Sequence, residues 1–82
     1  MSPDARLPLA AKARHLADVA SAQTSLGRDR EATHALLTIE RTAPHWMKYQ
    51  AYPRTIVREL LERQRRSRTP QLRGLAHRLG VA

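Results

Sequence analysis

Eighty-two residues leave room for one small domain with a marginal core, since a chain of this size buries only about 60–65% of the surface its unfolded form exposes. There is no cysteine, which excludes a disulfide framework and a thiolate zinc site. No apolar run approaches the ~18 residues of a membrane span. The net charge of +8 is uneven: residues 1–44 carry six Lys/Arg against five Asp/Glu, and residues 45–82 nine against two. The excess in the second half points to an anionic partner or to a face shielding an acidic partner domain; a solvated arginine-rich surface is the plainer alternative.

The opening MSPDARLPLAAKARH has no charged segment followed by an apolar run of signal-peptide length, so a cytoplasmic location is expected. Residues 1–7 read as a loose lead-in. Either Ser2-Pro3 opens a helical turn there, or Pro8 opens the first helix. From Pro8 the chain is rich in alanine and has no interior Gly or Pro until Gly27, which predicts a helix to about Ser25. Leu9, Ala13, Leu16, Ala17 and Ala20 form its apolar stripe. Leu26-Gly27-Arg28 marks a turn, with Gly27 able to take the positive φ that follows a helix C-terminus. Asp29 is then the expected N-cap of a second helix. Its apolar positions are Ala32, Leu36 and Ile39. Glu31 in the first turn and Arg41 in the last suit the helix dipole, and Pro44 closes this helix or opens the next.

His45–Tyr52 is the one aromatic cluster. Trp46, Tyr49 and Tyr52 at helical spacing are expected to fill the core; the alternative is an exposed stacking platform for bases beside Lys48. Pro53 predicts a new helix start, running to about Arg66, with Ile56, Val57, Leu60 and Leu61 inward and Glu59–Arg63 and Glu62–Arg66 as supporting pairs. A basic linker, Arg65-Arg66-Ser67-Arg68, leads to a last helix with Thr69 as N-cap and Pro70 first. Leu72, Leu75, Ala76 and Leu79 form its buried side, and Gly80 stops it. The fold class is therefore all-α: a hairpin over 8–44 followed by basic capping helices over 45–82.

Residues 13–46 resemble one tetratricopeptide repeat of about 34 residues. Leu16, Val19 and Ala20 match its first-helix positions, Leu26-Gly27 its turn pair, Ala32 its close-packing small residue, Leu36 its large apolar site and Pro44 its closing proline. Gln23 stands where an aromatic is common, and Ile39 where alanine is usual. A lone repeat leaves a face uncovered, so the remaining helices, self-association or further upstream helices must cover it. Gln71–Ala82 is similar to the first helix of a helix-turn-helix, with Ala76 at the tight packing site and Gly80 at the turn. A recognition helix would have to follow, and none does within these residues, so a capping helix is expected. More broadly, Leu26-Gly27, Glu40-Arg41, Ala43-Pro44, residues 56–61 and residues 72–81 look like the C-terminal tetratricopeptide-like region of bacterial XRE-type helix-turn-helix regulators. That resemblance implies a sensing or dimerising module, helical throughout, without catalysis.

The residues themselves carry no catalytic signature. His15, His34, His45 and His77 are scattered, with no i, i+4 pair, so neither a metal nor another cofactor is expected. Gly27, Gly74 and Gly80 are isolated and form no phosphate loop. Two binding readings remain. In the first, a groove on the first helix, with Arg14, Leu16, Val19 and Gln23 as contacts, takes a peptide, an effector or a second copy in a homodimer. In the second, Arg54, Arg58, Arg63, Arg65, Arg66, Arg68, Arg73 and Arg78 contact nucleic-acid phosphates in a salt-dependent, sequence-tolerant way.

Overall fold

The computed structural model describes residues 8–63 and 70–81. The readings placed on Ser2-Pro3, on the 65–68 linker, on the Glu62–Arg66 pair and on the Thr69 cap lie outside them. Five helices follow in chain order: α1 (Pro8–Ser25), α2 (Asp29–Thr42), α3 (Pro44–Tyr49), α4 (Ala51–Arg63) and α5 (Pro70–Arg78). The fold is all-α, with no strand among the described residues.

The α1–α2 hairpin is the base of the structure. α1 turns Ala13, Ala17, Ala20 and Thr24 into the core, and α2 answers with Ala32, Ala35, Leu36 and Ile39. Small residues on both sides let the two axes approach closely. Thr24 is buried without an orphaned hydroxyl, because Oγ1 donates to the Ala20 carbonyl at 2.8 Å. Leu9 departs from the expected buried stripe and is 56% exposed. α1 has 18 residues and α2 only 14, so the first turn of α1 overhangs its partner.

Two glycines end helices as expected. Gly27 has φ +77° and Gly80 φ +73°, values that cost an L-residue roughly 1–2 kcal/mol. At each, paired reverse bonds satisfy carbonyls at the helix end: Gly27 N–H to Thr24 at 3.1 Å with Arg28 N–H to Gln23 at 2.8 Å, and Gly80 N–H to His77 at 3.1 Å with Val81 N–H to Ala76 at 3.0 Å.

Three expectations are corrected. Asp29 is not the N-cap of α2; Arg28 holds that position without a side-chain cap bond. Asp29 lies one residue too far into the helix and turns its carboxylate to Arg63, Oδ1 3.3 Å from Nε. Arg63 is thereby drawn away from the expected pairing with Glu59. Second, α4 begins at Ala51, not Pro53. Proline is tolerated there because first-turn N–H groups have no intrahelical acceptor. Third, the aromatic cluster does not fill the core. Met47 does, fully buried, while Trp46 and Tyr52 pack half-buried at its edge and Tyr49 is 71% exposed. Trp46 and Tyr49 share one face of a six-residue helix, and Met47 lies on the neighbouring face, where its unbranched chain adapts to the space available.

Pro44 opens α3 at its first position. α4 lies across both helices of the hairpin and buries Pro53, Ile56, Val57 and Leu60, with Leu61 half-buried. α5 packs on α4 and α2 through Leu72, Leu75 and Ala76, and Leu79 just beyond it is also buried. Among the described residues, no further helix covers the opposite side of the hairpin.

Candidate functional site

On that open side, a groove of about 560 Å³ runs between α1 and α2. Leu16, Val19 and Gln23 form its α1 wall, and Arg30, Glu31, His34, Ala35 and Thr38 its α2 wall. The α1 wall follows from helical spacing. Residues 16, 19 and 23 lie about a quarter-turn from the core stripe 13, 17, 20 and 24, so they flank the α2 contact without entering it. The lining is mostly apolar, and one polar atom stands out: Gln23 Oε1 is shielded from solvent and has no hydrogen-bond partner among the described residues. An unmade hydrogen bond of this kind costs about 1–3 kcal/mol.

Three of the four residues expected at a protein contact thus meet in one groove. Arg14 does not join them. It lies on the far flank of α1, its guanidinium 5.1 Å from the ring centroid of Tyr52 and its Nε 3.5 Å from Asp18 Oδ1. The α2 residues of the groove were not among the sequence candidates. Their signal was available in the helical spacing of Glu31, His34, Ala35 and Thr38, a second face distinct from Ala32, Leu36 and Ile39.

The arginines expected at phosphates do not form one free set. Arg63 is paired with Asp29. Arg78 holds Glu40 through two bonds, Nε to Oε2 at 2.6 Å and Nη2 to Oε1 at 2.8 Å, and this contact raises the guanidinium pKa further above its ordinary value. Arg54 Nη1 donates to the Lys48 carbonyl at 3.0 Å. Arg58 and Arg73 are exposed and in no ion pair among the described residues. Arg65, Arg66 and Arg68 lie outside the described residues. The pairs to Asp29 and Glu40 clasp α4 and α5 to the two ends of α2, a structural use of charge.

A third clasp joins α4 to α1. Tyr52 OH donates to Asp18 Oδ1 at 2.7 Å. This bond is the main cause holding the Asp18 carboxyl below its ordinary 3.8, with the Arg14 charge adding to it against partial burial. The same bond raises the Tyr52 phenol above 10.0. The lowered acid contributes stability above pH 3.8 that is lost as pH falls through its folded value. The raised phenol contributes stability below pH 10.0 that is lost as pH rises through its folded value. Tyr52→Phe is therefore expected to lower the urea midpoint by a constant amount across neutral pH, with the gap to wild type closing at both extremes. A gap that persists unchanged through the acid limb would refute the bond.

Among the described residues, no group of three or more His, Asp or Glu side chains is placed to hold a metal, and no helix is long and apolar enough to cross a membrane. No protein-family model matches the chain, and no curated protein or solved structure is significantly similar to it.

Proposed function

We propose that this chain is a non-catalytic protein-interaction module, related to the C-terminal regulatory region of XRE-type regulators, and that its contact face is the α1/α2 groove. The observation that carries this reading is an open groove in which Leu16 and Val19 are only half-buried and the Gln23 amide oxygen is unpaired among the described residues. The other side of the hairpin is already covered by α4. A groove whose surface is mostly apolar, with polar side chains along its α2 wall, fits an amphipathic helix, which anchors through residues at i, i+3, i+4 and i+7.

Peptides selected from a random display library against the whole chain test this. They are expected to lose most of their affinity for Val19→Arg, which places a charge in the groove, and to retain it for Arg58→Ala. Peptides that bind both variants equally would contradict the reading.

Nucleic-acid binding is the second reading, favoured by the +7 balance of residues 45–82 and by the exposure of Arg58 and Arg73. The commitment of Arg63 and Arg78 to carboxylates weighs against it. Titration of a labelled duplex across a salt series decides it. Affinity should fall steeply with salt, with a slope of about −0.9 per phosphate contact, and no binding at low salt would eliminate it.

A further inference from the structure

The groove is the middle of a longer stripe on α1. Leu9, Lys12, Leu16, Val19, Gln23 and Leu26 recur at alternating spacings of three and four residues, the spacing of a helix–helix seam. Leu9 and Leu26, 56% and 69% exposed, are two of the three large apolar side chains that stand exposed among the described residues. They sit one at each end of the stripe, about 25 Å apart along the helix.

Pairing each residue with the one that completes a sum of 35 gives Leu9 with Leu26, Lys12 with Gln23 and Leu16 with Val19. A second α1 laid antiparallel across the first, with a two-fold axis between residues 17 and 18, makes these pairs twice. Leucine meets leucine at both ends, and Leu16 meets Val19 at the centre. The only charged member of the stripe meets its only amide. A Lys12 ammonium would reach Gln23, whose Oε1 has no partner among the described residues; rotation about the last side-chain bond, which is soft, turns that oxygen outward. Glu31 lines the same groove as Gln23. Neither Lys12 nor Glu31 is in an ion pair among the described residues. Register, apolar match and charge thus converge on one occupant.

We infer that the partner in the groove is a second copy of this chain, with α1 packed antiparallel on α1 around a two-fold axis and Lys12 of one protomer set against Gln23 and Glu31 of the other. This rests on the groove being the contact face and names what fills it. Because each protomer carries +8, the pairing tightens as salt screens the repulsion between protomers, the reverse of binding to a polyanion.

The chain has no native cysteine, so the register is testable by oxidation. The variant carrying both Leu9→Cys and Leu26→Cys is expected to form a covalent dimer on oxidation. Within one chain the two sulfurs are too far apart, since a disulfide needs Cβ atoms about 3.5–4.5 Å apart. Leu9→Cys alone and Leu26→Cys alone stay monomeric on a denaturing gel, because identical positions lie at opposite ends of the pair. In parallel, the wild-type mass by light scattering should be that of a dimer. Lys12→Glu and Glu31→Lys should each weaken it several-fold, and the two together should restore it. Cross-linking by the single variants, a monomeric wild type at high concentration and salt, or charge reversals that do not compensate would each overturn the inference. A monomer whose library-selected peptides still require Val19 would overturn the second copy alone and leave the groove reading standing. A dimer indifferent to Val19→Arg and to the charge reversals would overturn both.

Discussion

Leu36→Ala is expected to lower the unfolding free energy by about 2–5 kcal/mol. Leu36 is fully buried among residues contributed by all five helices. Truncation loses the transfer free energy of its side chain and leaves a cavity that a close-packed core closes only in part. In a small domain whose whole stability lies somewhere in the range of about 5–15 kcal/mol, that is a large share. For a chain of this size each kcal/mol lowers the thermal midpoint by roughly 4–8 °C. Tyr49→Ala is the control. Its ring is 71% exposed, so the change should stay within about 0.5 kcal/mol. Thermal and urea unfolding of the two variants check this, and a large effect at Tyr49 would contradict the placement of α3.

Enlarging the hairpin seam is the second large effect. Ala20 and Ala32 are both fully buried in the core to which α1 and α2 contribute. Ala20→Leu adds three carbons where no space exists. It must push α1 from α2 or force neighbouring side chains off their rotamers, at about 1–3 kcal/mol or more. Ala22→Leu, two residues on and exposed, should be neutral in comparison. The loss at residue 20 is also expected to weaken any contact made through the groove, because the groove walls are the same two helices. Urea unfolding of both variants measures the difference, and equal midpoints would mean that the helices do not approach closely at Ala20.

Much of the fold was legible because its signals are local. Alanine content and the absence of interior breakers mark α1 from Pro8 to Ser25, glycines at 27 and 80 mark helix ends through their positive φ, and the spacing of Leu72, Leu75, Ala76 and Leu79 marks the inner side of the last helix. What was not legible depends on pairings distant in sequence. Asp29 has the residue type of an N-cap, and only the arrival of Arg63, 34 residues later, shows where its carboxylate goes. Arg78 has the look of a free cation until it meets Glu40, 38 residues earlier. Bulk was a poor guide at the aromatic cluster, where a six-residue helix can turn only one narrow face inward and Met47 occupies it. The groove was half legible. Its α1 wall follows from spacing, but which α2 residues oppose it depends on how the hairpin closes.

That the α1/α2 groove is the contact face is tested most directly by amide chemical shifts of the whole chain followed over a concentration series. Shifts are expected to move at Leu9, Lys12, Leu16, Val19, Gln23, Leu26 and Glu31 while Arg58 and Arg73 stay still. Shifts that move at Arg58 and Arg73 on adding duplex DNA, with the groove amides unmoved under every condition, would contradict it.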